Sequence, residues 1–128
     1  MSIPIHFAPL QGYTDDVYRR IHHELIGGIE TYYTPFLRME GGGVRTKDMR
    51  DIRPVFNEGI PVVPQIILKT MKEFDYLTSV VEEKGYTRID INMGCPFPCR
   101  PSTDVARDFW RTRTSSVKWR TASPGGRT

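Results

Sequence analysis

The stretch Asp90-Ile91-Asn92-Met93-Gly94-Cys95-Pro96 carries an alternating segment straight into a glycine, a cysteine and a proline. Ile89 and Ile91 alternate with Arg88, Asp90 and Asn92, the period of two that marks a strand, and Gly94 and Pro96 break it. The spacing predicts a strand over residues 88–93 that ends in a turn bearing a thiol. Upstream, Val62 to Leu68 is an almost continuous apolar run with Gln65 inside it, as expected of a strand covered on both faces in a parallel sheet. Ile29 to Phe36, rich in Tyr and Thr and closed by Pro35, predicts another strand. Ile5-His6-Phe7-Ala8-Pro9 predicts a first, short one.

Helical signals fall between these strands. Thr14-Asp15-Asp16 offers a capping hydroxyl and two acids at the positive end of a helix. Val17, Ile21 and Leu25 recur at i, i+4, i+8 as one apolar stripe, and Gly27-Gly28 stops it. Gly41-Gly42-Gly43 reads as a flexible turn, and residues 46–54 as a short helix ended by Pro54. Thr70 and Glu73 have capping-box spacing. Phe74, Leu77 and Val81 line one face of the helix they open, with Gly85 as its C-cap.

The resulting order is strand, helix, strand, short helix, strand, helix, strand, with a repeat of roughly 25–30 residues, as in βα units. Four parallel strands in this length suit either a doubly wound sheet or half of a (β/α)8 barrel. The chemically suggestive residues all lie at strand ends: Pro9-Leu10-Gln11-Gly12, Thr34-Pro35, Gln65 and Asn92-Met93-Gly94-Cys95. Barrel enzymes build their sites from the C-terminal ends of several strands. Neither GxGxxG nor GxxxxGK[ST] occurs. The expected fold is therefore α/β, the N-terminal half of a (β/α)8 TIM barrel, with strands one to four in residues 1–98.

Charge divides the chain at the same place. Residues 1–98 hold eleven Lys/Arg against thirteen Asp/Glu, whereas residues 99–128 hold seven against two. A basic, Ser/Thr-rich tail is material for a nucleic-acid arm, or for a disordered end. Nothing in the sequence reaches the ~20 apolar residues of a membrane span, and no secretory signal is visible. Cys95 and Cys99 are too few for a disulfide framework, and their CxxxC spacing is not a convincing metal half-site. The expectations are a cytoplasmic protein with no membrane and no metal partner. His6, His22 and His23 read as structural or surface residues. Arg38, Arg45, Lys47, Arg50 and Arg53, interleaved with Glu40, Asp48 and Asp51, read as a solvated face.

Three motifs resemble the tRNA-dihydrouridine synthase family, flavin enzymes built on a barrel. Ala8-Pro9-Leu10-Gln11-Gly12-Tyr13-Thr14-Asp15 is similar to the family's A-P-M-A-G-x-T-D. Gln65 stands where the family has V-Q-L. Asp90-Ile91-Asn92-Met93-Gly94-Cys95-Pro96 is similar to I-N-[LM]-G-C-P. Leu10-Gln11 in place of Met-Ala, and Ile66 to Thr70 where a glycine usually follows the glutamine strand, are departures. The resemblance, over residues 5–98, implies reduction of uridine to 5,6-dihydrouridine in tRNA, with FMN as cofactor and NADPH or NADH as reductant. It implies Cys95 as general acid, Pro9, Leu10 and Gln11 against the flavin ring, Gln65 on the flavin's polar edge, and Asn92 on flavin or uracil. Two alternatives are another FMN barrel oxidoreductase acting on a free pyrimidine, and a small basic RNA-binding protein using the tail.

Beyond G-C-P the family continues with a stretch resembling V-N-G-x-G-A-x-L-L and then a helix start such as [KA]-D-P. Residues 99–128 contain neither. With permitted codons, reading this segment one nucleotide earlier returns M-Q-T-V-N-G-R-G-A-G-L-L-A-D-P-D. The expectation is a single-nucleotide loss near the codon for residue 99, which makes residues 99–128 an out-of-frame tail. The chain would then be an inactive fragment of a full-length enzyme.

Overall fold

The computed structural model describes residues 2–93. Its elements are β1 (His6–Phe7), α1 (Asp16–Leu25), β2 (Thr31–Tyr33), β3 (Met39–Glu40), β4 (Gly43–Val44), α2 (Thr46–Asp51), α3 (Pro54–Asn57), β5 (Val62–Val63), β6 (Gln65–Ile66), α4 (Met71–Glu83) and β7 (Asp90–Ile91).

The predicted parallel strands are all present, shorter than expected. β1 pairs in parallel with β2 in the register His6–Thr31, and β2 with β5 in the register Tyr32–Val62. The predicted third strand is divided between β5 and β6 at Pro64, which has no N–H to give a ladder. The division does not interrupt its pairing. Pro64 O accepts from Asp90 N at 2.8 Å, and Ile66 O from Asn92 N at 2.9 Å. β6 therefore pairs in parallel with β7, in the register Gln65–Asp90. Leu37 continues the second strand by bridging to Ile66. Among the described residues the spatial order of the parallel strands follows the chain order, with β1 and β7 at the two ends. Parallel strands in sequential order joined by helices form an incomplete (β/α) barrel core, without a closed barrel.

Two loop readings change. The Gly41-Gly42-Gly43 turn is the tip of an antiparallel hairpin, β3 on β4, with Met39 opposite Val44. Gly41 and Gly42 take φ of 62° and 88°, which only glycine adopts freely. The single helix expected over 46–54 is two, because Pro54 starts α3 at its first turn rather than merely ending α2.

The helix caps follow the local chemistry closely. Thr70 Oγ1 accepts from Glu73 N at 3.2 Å, as the capping box predicts, although Glu73 reaches back to Lys69 N, one residue further out. Gly85, at φ 89°, ends α4. At α1 the cap shifts by one residue. Asp15 accepts from Tyr18 N at 2.8 Å, while Thr14 Oγ1 accepts from Leu10 N at 2.8 Å and closes the preceding turn.

The apolar core lies between the sheet and α4: Leu37, Ile52, Ile66, Leu68, Leu77 and Val81, with Phe74 and Ile91 packed against it. This is the α4 face that the periodicity predicts. The stripe predicted on α1 does not face a core. Val17, Ile21 and Leu25 are 38%, 50% and 80% exposed. The face that α1 buries carries Asp16 and Arg19. It packs on α3, so polar groups hold this helix in place.

Of the histidines expected to be structural or surface residues, His6 and His22 bond to tyrosines of β2. His6 Nδ1 lies 3.1 Å from Tyr33 Oη and His22 Nδ1 2.9 Å from Tyr32 Oη. The basic segment is not simply a solvated face, because Asp48 and Asp51 are buried. Arg45 forks onto Asp48 at 2.7 and 3.2 Å, and Arg53 pairs with Asp16 and lies over the Phe56 ring. Among the described residues no helix is long and apolar enough to cross a membrane.

Candidate functional site

Side chains alternate across a strand, so Gln65 and its register partner Asp90 point away from Ile66 and Ile91. Ile66 and Ile91 pack toward α4. Gln65, Asp90 and Asn92 consequently share the opposite face, the concave side of the half barrel. There they form one network. Gln65 Nε2 donates to Asp90 Oδ2 at 2.7 Å, and Asn92 Nδ2 donates to Gln65 Oε1 at 3.2 Å. Gln65 is nearly buried, and its backbone N–H is taken by Thr34 Oγ1 at 3.0 Å. Its amide therefore stands in a defined orientation: the carboxylate accepts from the NH₂ group, and the carbonyl oxygen faces Asn92.

The loop after β1 is brought to the same end of the sheet. Leu10 O accepts from Tyr13 N at 3.0 Å and Thr14 N at 3.1 Å, and Gly12 at φ 86° lets the chain turn. Leu10 is left exposed and Pro9 half-buried. Gln11 Oε1 accepts from Phe36 N at 3.0 Å, and the next residue, Leu37, donates to Gln65 O at 2.9 Å. Two hydrogen bonds thus connect the Gln11 loop to the Gln65 strand. Gln11, Gln65 and Asn92 are gathered at the C-terminal end of the strands, where a barrel carries its chemistry. Cys95, expected as the general acid, lies outside the described residues, as does the tail over residues 99–128.

Asp90 is a member of this network that the sequence reading passed over. The signal was present, because Asp90 stands two residues before Asn92 on the same strand and so shares its face.

The donor set suits the polar edge of a flat heteroaromatic ring. Gln65 retains one N–H and one carbonyl lone pair beyond its two side-chain bonds. Leu10, exposed, and Pro9, half-buried, add apolar surface in the loop that Gln11 ties to Phe36. Among the described residues no group of three or more His, Cys, Asp or Glu is placed to hold a metal ion.

Replacing Gln65 by leucine is expected to destabilise the fold by about 2 kcal/mol. The change keeps the volume but removes a hydrogen bond to a charged group and leaves the Asp90 carboxylate without its donor. The urea midpoint of the variant checks this, and a midpoint within error of the parent would show that the network carries no stability.

A family model described as dihydrouridine synthase matches residues 6–103, a range that begins at β1 and includes the Gly94-Cys95-Pro96 motif. No curated protein and no solved structure matches the chain. With a match over more than half its length, ordered parallel βα units and polar side chains collected at the strand ends, the chain belongs to the dihydrouridine synthase family.

Proposed function

We propose that this chain carries the N-terminal half of the active site of a tRNA-dihydrouridine synthase, an FMN-dependent oxidoreductase that reduces uridine in tRNA. The observation that supports the reading best is the grouping of Gln11, Gln65 and Asn92 at the strand ends of a chain from this family. FMN, when bound and reduced by NADPH or NADH, supplies a hydride to C6 of the uracil ring. The remaining tasks fall to the chain's own residues. Pro9, Leu10 and Gln11 bear on the flavin ring, and Gln65 hydrogen-bonds its polar edge. Asn92 steadies Gln65 and reaches flavin or base. Cys95 delivers the proton to C5; an ordinary thiol, with pKa of about 8.5, is mostly protonated at neutral pH and suited to that donation. A base within folded RNA must be turned out of its stack to reach the site.

Four strands are half of the eight a closed barrel uses, and phosphate grip in such barrels commonly comes from the loops after strands seven and eight. The 128-residue chain alone is therefore expected to purify colourless and to form no dihydrouridine on tRNA. Stoichiometric FMN on the purified chain would overturn this part of the reading. The activity itself is tested one step further back. The coding DNA around residues 96–100 is expected to read V-N-G-x-G-A-x-L-L in the neighbouring frame. Protein made from the restored frame should bind FMN and convert uridine to dihydrouridine. A yellow but inactive product on tRNA that reduces a free pyrimidine would instead identify the sister chemistry.

A further inference from the structure

A cavity of about 600 Å³ lies between the β3–β4 hairpin and the segment leading from β6 into α4. It opens at the same strand ends as Gln65, and Ile67 and Leu68 form part of its wall. Four charged side chains line it: Arg38, Glu40, Lys69 and Glu73. Formally they cancel, but their partners do not leave them equal. Glu40 is drawn to Arg45 at 3.6 Å. Glu73 accepts from Lys69 N at 2.6 Å. The two carboxylates are thus engaged with donors of the protein. Among the described residues, the Arg38 guanidinium and the Lys69 ammonium have no carboxylate within ion-pair distance and no hydrogen-bond partner. Arg38 is half-buried on the cavity wall and Lys69 stands exposed at its rim. The backbone of Arg38 is held by Asp48, which accepts from its N–H at 3.3 Å. At the start of α4 the Glu73 N–H is taken by Thr70 Oγ1, and the Glu73 carboxylate takes the Lys69 N–H just ahead of the helix, so among the described residues Arg38 and Lys69 are the wall's unpaired charges.

We infer that this cavity is a phosphate-binding subsite, with Arg38 and Lys69 gripping a phosphodiester of an RNA strand beside the Gln65–Asn92 face. A planar guanidinium fork paired with a point-charge ammonium suits phosphate oxygens. The hairpin turn at Gly41-Gly42 carries no side chain to obstruct a backbone entering from solvent. The assignment rests on the proposed function for the identity of the RNA, and deepens it by placing substrate contacts on the hairpin side of the strand ends.

The test uses the full 128-residue chain and a short fluorescein-labelled oligouridylate, read by anisotropy between 50 and 200 mM salt. Arg38→Ala and Lys69→Ala are each expected to weaken binding several-fold and to lower the slope of log K against log salt by about 1, the loss of one phosphate contact. Glu40→Gln should tighten binding, because it removes a negative charge from the wall. Among the described residues neither side chain of the first two variants makes a hydrogen bond or ion pair, so circular dichroism should match the parent. Arg111→Gln with Arg113→Gln controls for the basic tail. Binding abolished by the tail pair and indifferent to Arg38 and Lys69 would overturn the inference. So would uridine monophosphate displacing the oligomer at equal phosphate concentration, which would make the cavity a monoester site. Failure of the restored-frame protein to reduce uridine, with the Arg38 and Lys69 effects intact, would remove the proposed activity and leave the phosphate site standing.

Discussion

Arg19→Ala is expected to cost about 3–5 kcal/mol, enough to unfold a domain of marginal stability. Arg19 is 0% exposed. It donates to Thr14 O at 2.9 Å and Asn57 Oδ1 at 3.0 Å, and also to Asp51 O. Its Nη1 lies 3.6 Å from Asp51 Oδ1. Through these partners one guanidinium ties the start of α1 to the end of α2 and to α3. Alanine leaves those acceptors buried without a donor and Asp51 buried without its cation. Arg19→Lys keeps the charge but loses the fork, and should fall between the two. Urea titration measures all three proteins; a loss below 1 kcal/mol for alanine would show that the α1 face is held by something else.

The same cluster sets a pH dependence. Burial pushes the Asp51 carboxyl up to about 6, against the pull of Arg19 in the other direction. Burial also lowers the Arg19 guanidinium from its usual value, with Asp51 and Asp16 opposing the shift. A carboxyl whose folded pKa exceeds its unfolded one binds more protons in the folded state between the two values. Its contribution is therefore complete below the ordinary carboxyl pKa near 3.8 and is lost as pH rises through about 6. Stability measured at pH 4, 5, 6 and 7 should carry this falling component, and Asp51→Asn should flatten it. In Arg19→Ala the same transition should move upward, because the attraction holding the Asp51 charge is gone.

Cys95→Ala, introduced into the protein made from the restored frame, is expected to slow dihydrouridine formation by about 10²- to 10⁴-fold, the usual contribution of a positioned general acid. NADPH or NADH should still bleach the flavin at the parental rate, because that half-reaction needs no proton from the thiol. The two readouts separate chemistry from folding: a variant that has lost flavin has lost its site, whereas one that reduces flavin and not uridine has lost its acid. Equal rates of uridine reduction in parent and variant would take Cys95 out of the mechanism. Asn92, three residues earlier and bonded to Gln65, gives a graded comparison. Asn92→Ala should loosen the Gln65 amide and affect flavin binding as well as the reduction of uridine.

The features legible in the residues alone are those that depend on neighbours along the chain. The Thr70–Glu73 cap, the stops at Gly27-Gly28 and Gly85, the alternation through Asp90-Ile91-Asn92 and the parallel βα order all follow from backbone sterics and side-chain period over a few residues. The resemblance carried by Gly94-Cys95-Pro96 and by the opening motif is local in the same sense. Tertiary structure decided the features that depend on which surface meets which. Val17, Ile21 and Leu25 form an apolar stripe by period alone, yet it is Asp16 and Arg19 that are buried, because α1 meets α3 through polar groups. Asp90 joined the candidate site only when parallel register set it opposite Gln65. Arg38 stood out among the basic residues for the same kind of reason. Arg45 and Arg53 had found carboxylates in space, whereas Arg38, on the cavity wall, has none among the described residues. Periodicity records which side chains share a face; only packing settles what that face touches, and therefore which charges remain free to meet a ligand.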